Sequence, residues 1–408
     1  MKLAGAAAGA LPVISFFGGF AVSEETGAAV PGASAILTPS FCCPALVKSG
    51  GVIPMEKTPG GPAAIDSAWL GSAAGGPEYS LSVDERGCCC HPFALFPEKP
   101  VEPGLYDLFV KVSRGGASRI ERQPNAVRIL DDFKRDFTFG AISDVHFGDP
   151  RLASSLKGFD VAETVKKEIS ILKENNIEFC LCCGDLTFLP PATKKELQEY
   201  QNIFSSHASF PVFSVPGNHD GYTTGAAGKI NFDTFSHWNR SFGPLDFSAT
   251  YGDMSIIGLN TFDKSPGDRN VYGGYGDKAD TGAVSEMQLR SIDERLSYAG
   301  SNGAKSVVLI GHHNPTNTVK DVNGPFTIVP FSETGRLELL DLVKKHSPDY
   351  FFVGHVHGVH EEIFGATKIV TVPTAASLPA EGHPVGIDLV TVRNWKISAV
   401  ETIEIFRL

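Results

Sequence analysis

The sequence predicts an α/β domain over residues 135–408 that follows a smaller all-β domain, and three observations lead to this prediction. Before residue 135, glycine and proline are frequent and helical periodicity is absent. After it, short apolar runs alternate with amphipathic segments, which is typical of a layered α/β fold. The chain has 408 residues, of which 42% are hydrophobic and 20% charged, so it can bury a sizeable core.

Short apolar stretches bounded by turn residues stand in the first part of the chain. Three of them are Ala45–Val47, Tyr79–Val83 and Leu105–Val112, and the last lies between a Pro-Gly pair and a Gly-Gly pair. Short strands separated by turns are typical of β-sandwiches. We therefore expect a small immunoglobulin-like sandwich over residues 24–134.

The second part of the chain alternates between strand and helix patterns. Asp160 can cap a helix that continues to Glu174, because apolar residues then recur three and four positions apart. The predicted helices cover residues 160–174, 193–207, 286–298 and 333–346. The predicted strands cover residues 137–142, 177–183, 212–215, 255–260, 306–310 and 350–353, with further strands between 387 and 405.

The first residues have the pattern of a secretory leader. Met1 and Lys2 precede an uncharged run rich in alanine and glycine, and small residues at positions 21 and 23 fit a signal-peptidase site. We therefore expect residues 1–23 to be a signal peptide or leader, and the protein to be exported to a periplasmic or extracellular location. Because Pro12 and several glycines interrupt the apolar run, a cytoplasmic location is the alternative.

The eight cysteines fall in three groups and lack the paired C-x-x-C spacing of a zinc site. Cys42 and Cys43 could pair with the group at residues 88–90 if the protein is exported. The third group, at residues 180–183, lies in a predicted buried strand, where cysteine acts as a small hydrophobe. The cysteines therefore leave the compartment open.

Polar clusters follow five of the predicted strands. Ligands of open α/β sheets gather beyond the carboxyl ends of strands, so the five clusters point to one crevice. Each cluster alone could be an ordinary turn, but the presence of all five in this order is improbable by chance. The clusters are Asp144-Val145-His146, Gly184-Asp185, Gly217-Asn218-His219-Asp220, Gly311-His312-His313 and Gly354-His355-Val356-His357.

These residue types suit a pair of metal ions that act on a phosphoester. Two divalent ions about 3.5–4 Å apart can neutralise the anionic ester, lower the pKa of a bound water and hold both the attacking and the leaving oxygen. Such a pair needs one carboxylate as a bridge, with imidazoles and carboxylate or amide oxygens as the other ligands. Mixed nitrogen and oxygen donors favour Mn, Fe, Zn or Co over Ca or Mg.

The five blocks resemble the signature of the calcineurin-like metallophosphoesterase superfamily, which runs D-x-H, G-D, G-N-H-D/E, H and G-H-x-H. All five occur here in that order between residues 144 and 357, and the resemblance covers roughly residues 136–408. It implies a four-layer αββα sandwich with the metals at the sheet ends. It also implies two divalent or mixed-valence transition metal ions (Mn, Fe or Zn) as cofactors.

The resemblance also implies a role for each matching residue. One metal would be bound by Asp144, His146 and His357, the other by Asn218, His312 and His355, with Asp185 as the bridge and a metal-bridging hydroxide as the nucleophile. His219 would stabilise the transition state or protonate the leaving oxygen, and Asp220 would orient its ring. His313 stays open as the alternative to His312, because the proline usual two residues after this ligand, Pro315, follows His313 at that distance.

One subfamily of these enzymes does not fit the sequence. Purple acid phosphatases have G-D-x-x-Y with tyrosine as an iron ligand, and Phe188 stands at that position here. They also lack the histidine of the first block, which is His146 in this chain. The resemblance therefore favours a metallophosphoesterase that is not of the purple type.

The expected function is dinuclear-metal-dependent hydrolysis of phosphomonoesters or phosphodiesters. The net charge of -11 disfavours a stable nucleic-acid partner, so a small phosphorylated substrate such as a nucleotide is expected. Aromatic residues of the long inserts at 221–253 and 263–280, with Arg240 or Arg269, could contact it. The alternatives are a non-catalytic metal-binding scaffold of the same fold and a metal-dependent nuclease. Oligomeric state stays unknown.

Overall fold

A computed structural model describes residues 34–58, 64–72, 75–84, 93–114, 117–226, 229–270, 280–318, 321–323, 326–328 and 330–408. The expected leader over residues 1–23 and the cysteines at 88–90 lie outside these residues. Within the described ranges, none of the helices combines the length and the apolar character needed to cross a membrane.

The first part of the chain forms one eight-stranded sheet in the order β1-β3-β6-β5-β4-β7-β8-β2. Of the strand pairs described in this sheet, β2–β8 is parallel and the others are antiparallel. The strands are β1 (Ile36–Thr38), β2 (Ala45–Lys48), β3 (Ile53–Lys57), β4 (Ile65–Gly71), β5 (Tyr79–Asp84), β6 (Phe93–Pro97), β7 (Gly104–Arg114) and β8 (Ala117–Leu130).

The sheet of β1–β8 curls around a single apolar core to which all eight strands contribute. Its two edge strands, β1 and β2, are joined by residues 39–44 alone, so the edges return towards each other. The regular elements described in this part are all strands, as predicted. However, its described strands are hydrogen-bonded as one sheet, where an immunoglobulin-like sandwich has two.

The second part contains two larger sheets, one of five strands in the order β11-β10-β9-β22-β23 and one of six in the order β14-β15-β16-β19-β21-β20. The strands of the first are β9 (Phe137–Ile142), β10 (Cys180–Cys182), β11 (Val212–Ser214), β22 (Pro384–Arg393) and β23 (Lys396–Arg407). Those of the second are β14 (Phe247–Tyr251), β15 (Met254–Gly258), β16 (Ser306–Ile310), β19 (Tyr350–Val353), β20 (His360–Phe364) and β21 (Thr367–Thr371).

In the described residues of the second part, two short hairpins and six helices connect these strands. The side chain of Asp160 accepts a hydrogen bond from the Glu163 backbone N–H, so the predicted cap of α2 is confirmed. The hairpins pair β12 (Thr223–Ala226) with β13 (Lys229–Asp233) and β17 (Asp321–Asn323) with β18 (Phe326–Ile328). The helices are α1 (Pro150–Ser155), α2 (Val161–Glu174), α3 (Thr193–His207), α4 (Thr234–Ser241), α5 (Glu286–Ser301) and α6 (Arg336–His346).

Alternate residues of the six-stranded sheet face opposite sides, as the strand period requires. Val308 and Phe352 lie in the core between the two sheets, where the rings of Phe352 and Phe139 are 5.9 Å apart. On the five-stranded sheet, Gly140 faces α2, because an added Cβ would lie 2.6 Å from Leu172. α2 therefore packs on the side of the five-stranded sheet that faces away from the six-stranded sheet. The intervening residues of the six-stranded sheet pack against α5 and α6: Ile257, Leu309, Phe351 and Val353.

The two parts of the chain share apolar contacts. Phe41 and Cys42, between β1 and β2, belong to the core of the second part. The backbone N–H of Cys42 donates to Phe242 O, and its carbonyl accepts from the Ser214 N–H, both at 3.0 Å. Burial raises the pKa of the Cys42 thiol to about 12.

Asp388 on β22 is a buried carboxyl whose only described hydrogen bond comes from the Thr402 hydroxyl at 2.6 Å. Burial raises its pKa from 3.8 to about 7, with Glu361 adding to the effect. Because the unfolded chain loses this proton first, the carboxyl costs stability as pH rises from about 4 to 7. We expect Asp388→Asn to increase the free energy of unfolding by a few kcal/mol above pH 7 and by little near pH 4.

Urea unfolding at pH 4, 6 and 8 measures this difference. The matched control is Asp131→Asn, which removes an exposed carboxyl and should change stability little at any pH. A difference between Asp388→Asn and the wild type that stays constant over this range would contradict the prediction.

Candidate metal centre

Five parallel strand ends meet at one edge of the paired sheets. β9, β10 and β11 belong to the five-stranded sheet, and β16 and β19 to the six-stranded sheet. The structure brings together the seven predicted ligands at these ends, and all are buried except His357, which is partly exposed. They are Asp144, His146, Asp185, Asn218, His312, His355 and His357.

Five of these seven residues have left-handed backbone conformations, with φ between 50° and 74°. Residues other than glycine rarely adopt such φ values, which persist where the surrounding structure imposes them, often at functional sites. Here the backbone is held by hydrogen bonds to the residues that follow the neighbouring strand. The N–H groups of Asp144 and His146 donate to the carbonyls of Gly184 and Asp185, each at 3.0 Å.

Two glycines of the motifs leave room for the carboxylates. A Cβ at Gly217 would overlap the Asp185 carboxylate, and one at Gly354 would overlap Ser143 and approach Asp144 Oδ2 to 2.6 Å. The glycines of G-N-H-D and G-H-x-H are therefore required by close approach at these two positions.

Asp144, His146 and His357 form the first donor set. Asp144 Oδ1 lies 3.3 Å from His357 Nε2 and 3.7 Å from His146 Nε2, and these two nitrogens are 3.2 Å apart. Asp144 Oδ1 is buried and accepts none of the described hydrogen bonds. The Nδ1 of His357 is 2.6 Å from the Leu378 carbonyl and donates its proton there. Nε2 is therefore the ring nitrogen that could bind a metal ion.

Asn218, His312 and His355 form the second donor set. Asn218 Oδ1 lies 3.1 Å from both His312 Nε2 and His355 Nδ1. The Nδ1 of His312 donates to the Cys183 carbonyl at 2.7 Å, so its Nε2 faces the cluster. Burial opposes protonation of this ring, but Asp185 and Asp144 raise its pKa to about 9, so a metal ion would bind at Nε2 by displacing a proton.

Asp185 stands between the two donor sets. Its Oδ2 lies 3.5 Å from His146 Nε2 on one side and 3.1 Å from His312 Nε2 on the other. Its Oδ1 accepts the His219 backbone N–H at 2.9 Å, which fixes the carboxylate. A single oxygen atom therefore faces both sets.

Burial and mutual attraction set the charges of this cluster. Burial lowers the pKa of His146 to about 4 and that of His355 to about 3, so both rings are neutral at pH 7. Burial opposes ionisation of Asp185, but the nearby histidines, His312 first, hold its pKa well below the ordinary value. Ionised carboxylates and neutral imidazoles are the forms that bind metal ions.

The residues present suit a pair of transition metal ions. Asp144 Oδ1, which faces the first donor set, is a buried polar atom without a described hydrogen-bond partner, which is costly inside a protein. Imidazole nitrogens converge with carboxylate and amide oxygens, a donor set favoured by Mn, Fe and Zn. His/Asp groups able to hold a metal are thus present on both sides of Asp185.

The match to a protein family shows which family the chain belongs to. Residues 137–359 match the family described as calcineurin-like phosphoesterase, which is more than half of the chain. The chain belongs to this family. None of the curated protein sequences matches it.

Solved structures resemble this calcineurin-like phosphoesterase at low identity. A dimetal phosphatase from Danio rerio has 15% identity and a TM-score of 0.45, covering 66% of this chain and 98% of its own. A purple acid phosphatase from yellow lupin has 14% identity and a TM-score of 0.49, covering 83% and 69%. The Plasmodium protein GAP50, an anchor in the inner membrane complex, has 13% identity and a TM-score of 0.38, covering 66% and 85%.

His313 is less suited than His312 to bind a metal ion in this phosphoesterase. Although its ring is close to those of His312 and His355, both of its nitrogens have protein partners. Its Nδ1 is 2.9 Å from the Thr261 hydroxyl, and its Nε2 is 3.0 Å from the Asp280 carbonyl. The geometry therefore favours His312 over His313.

The predicted acid, His219, lies beside the two donor sets. Its Nε2 is 4.0 Å from Asp185 Oδ2, and its side chain is 19% exposed. Its Nδ1 contacts the carbonyl of Phe188, and the Phe188 ring stacks on the imidazole with centres 5.7 Å apart. The Nδ1 proton is therefore fixed by a backbone carbonyl, and Nε2 faces the cluster.

The predicted contact between Asp220 and the His219 ring is wrong. All hydrogen bonds described for this carboxylate come from other groups, namely the backbone N–H groups of Leu186, Thr187 and Gly217 at 3.0 Å and the Thr187 hydroxyl. Asp220 instead ties the turn after β10 to the turn after β11. Sequence order did not indicate this, because Leu186 and Thr187 lie 34 and 33 residues before Asp220.

Arg151 is a cationic residue at this cleft that the motifs did not indicate. The buried Asp149 carboxylate holds its guanidinium, with Nη2 2.8 Å from Oδ2, and the side chain is 38% exposed. The guanidinium lies 5.3 Å from the centre of the Phe188 ring, and its charge acts on His357.

Among the insert residues proposed as substrate contacts, Arg269 and Trp238 instead contact other parts of the protein. Arg269 is 3% exposed, pairs with Asp233 at 2.9 Å and donates to the Gly221 carbonyl, so it is not available to a phosphate. Trp238 is fully buried in the core. Arg240 is exposed at the end of α4, and Tyr272 and Tyr275 lie outside the described residues.

Proposed function

We propose that this chain is a dinuclear metal-dependent phosphoesterase that hydrolyses phosphomonoesters or phosphodiesters. The observation that carries the proposal is the position of Asp185 Oδ2 between His146 Nε2 and His312 Nε2. One carboxylate oxygen that faces two donor sets is suited to bridging two ions. A non-catalytic scaffold would not need a partly exposed imidazole such as His219 beside these sets.

Asp144, His146 and His357 would hold one ion, and Asn218, His312 and His355 the other, with Asp185 shared. Bound ions (Mn, Fe or Zn) would offset the charge of the phosphoester and lower the pKa of water in the cleft. His219, as an imidazolium, would donate its Nε2 proton to the leaving oxygen and become the neutral tautomer whose Nδ1 proton stays on the Phe188 carbonyl. Asp220 would keep the two motif turns together.

The chain is proposed to differ from the purple type because Phe188 offers no oxygen ligand. Its ring instead stacks on His219. The net charge of -11 supports a small phosphorylated substrate over nucleic acid. Nuclease activity stays the second enzymatic alternative, with cleavage of single-stranded DNA as its test.

We expect Arg151→Met to raise KM for phosphomonoesters about tenfold, because a charge-assisted hydrogen bond to an anion contributes about 1.5–3 kcal/mol. Arg151→Lys should raise KM by a smaller factor, and kcat should change less than KM in both variants. Steady-state kinetics with a monoester and a diester measure the effect. Arg290→Met removes an exposed arginine on α5 as the control, and an unchanged KM in Arg151→Met would contradict this role.

The proposed function is tested by metal loading and substrate comparison. The full-length protein is stripped with a chelator, loaded with Mn²⁺ or Zn²⁺, and assayed with 4-nitrophenyl phosphate and bis(4-nitrophenyl) phosphate. We expect hydrolysis that disappears on chelation and returns with metal. Activity that survives complete metal removal, or no hydrolysis of either ester by the loaded protein, would overturn the proposal.

A further inference from the structure

Asn218 is connected to a buried tyrosine and a carboxylate behind it. Its amide Nδ2 donates to the Tyr222 hydroxyl at 2.8 Å, and that hydroxyl donates to the Asp280 carboxylate. Tyr222 is 1% exposed. Its ring lies against those of His219 and Phe262, so it is packed inside the protein and does not face a substrate.

This chain of hydrogen bonds has only one possible direction. An ionised carboxylate can only accept, so the Tyr222 hydroxyl must donate its single proton to Asp280. The Tyr222 oxygen can then only accept from Asn218, which selects Nδ2 over Oδ1. The two ends of an amide have nearly the same shape, and such a network decides which end faces which partner.

The selected orientation turns Asn218 Oδ1 towards the second donor set, 3.1 Å from both His312 Nε2 and His355 Nδ1. A rotated amide would present N–H groups there, which cannot bind a cation. We propose that Tyr222 and Asp280 are positioning residues that hold Asn218 ready for the ion of this set. The inference rests on the proposed dinuclear site.

Removing the hydroxyl tests this role. Tyr222→Phe leaves Asn218 Nδ2 without its acceptor, so the amide can rotate. Since groups behind metal ligands typically contribute about 10–100-fold to metal affinity, we expect that loss for one of two bound Mn²⁺ ions. Calorimetric titration of the metal-free full-length protein with Mn²⁺ measures both affinities, and the affinity for the other ion should change less than threefold.

Asp280→Asn is the second variant, because an amide at residue 280 can donate as well as accept. The hydroxyl is then free to donate to Asn218, so a smaller loss at the same ion is expected. This variant keeps the proposal testable if Tyr222→Phe does not fold. The matched control is Tyr251→Phe, which loses a hydroxyl that accepts the Lys134 N–H at the opposite edge of the sheets.

The outcomes separate this inference from the proposed function. Wild-type protein that binds two Mn²⁺ ions, together with both site variants binding them at unchanged affinity, would overturn the roles of Tyr222 and Asp280 and leave the function standing. Equal weakening in Tyr251→Phe would also overturn them, as a general effect of a lost hydroxyl. Wild-type protein that binds no Mn²⁺ would instead overturn the proposed function.

Discussion

Replacement of Asp185 by Asn is expected to lower kcat about a thousandfold, which corresponds to about 4 kcal/mol of lost transition-state stabilisation. The His219 N–H lies 2.9 Å from Asp185 Oδ1 and will keep an oxygen at that position. The new amide nitrogen will therefore take the place of Oδ2. Its hydrogens will face His146 Nε2 and His312 Nε2, where both donor sets now share one anionic oxygen.

Steady-state hydrolysis of 4-nitrophenyl phosphate across a Mn²⁺ titration measures this effect, with the bound metal counted in parallel. The control is Asp388→Asn, which makes the same chemical change at another buried carboxyl. The kcat of Asp388→Asn should stay within a factor of about two of the wild-type value, since Asp388 lies outside the site. A kcat of Asp185→Asn close to that of the control would contradict the shared-carboxylate account.

Replacement of His219 by Gln is expected to lower kcat by about 10²–10⁴-fold for esters with a poor leaving group. Gln lacks a proton that it can release, whereas the Nε2 of His219 faces the cluster with its Nδ1 held by Phe188. A 4-nitrophenolate leaving group needs little protonation, so the loss should be smaller for that ester. The number of bound metal ions should not change.

Kinetics with a nitrophenyl ester and an alkyl ester of the same phosphate class separate these effects. His207→Gln serves as the control, because this histidine at the end of α3 contacts the Ile203 carbonyl away from the site. An equal loss for both leaving groups, or a loss of bound metal in His219→Gln, would argue against proton donation.

The strand ends of the site were predictable because short apolar runs and polar turns leave a local pattern. β9, β16 and β19 have the predicted bounds, and α3 covers the predicted residues. β10 is shorter than predicted, because only Cys180–Cys182 pair with both neighbouring strands. α6 begins later, at Arg336, after Gly335 in a left-handed conformation.

The supporting contacts of the site were not predictable because they join distant parts of the chain. Tyr222 was expected among the substrate contacts of a long insert, but it is buried behind Asn218. Arg269 was expected near a phosphate, but Asp233 neutralises it. No local motif indicates such pairs, since long-range packing decides which polar groups meet.

The number and coupling of bound ions test the central claim most directly. Metal-free protein is dialysed against Mn²⁺, the bound metal is counted by mass spectrometry, and the electron paramagnetic resonance spectrum is recorded. The Asp185 bridge predicts two Mn²⁺ per chain with a magnetically coupled spectrum that is lost in Asp185→Asn. One ion per chain, or two ions with the uncoupled spectrum of isolated Mn²⁺, would contradict it.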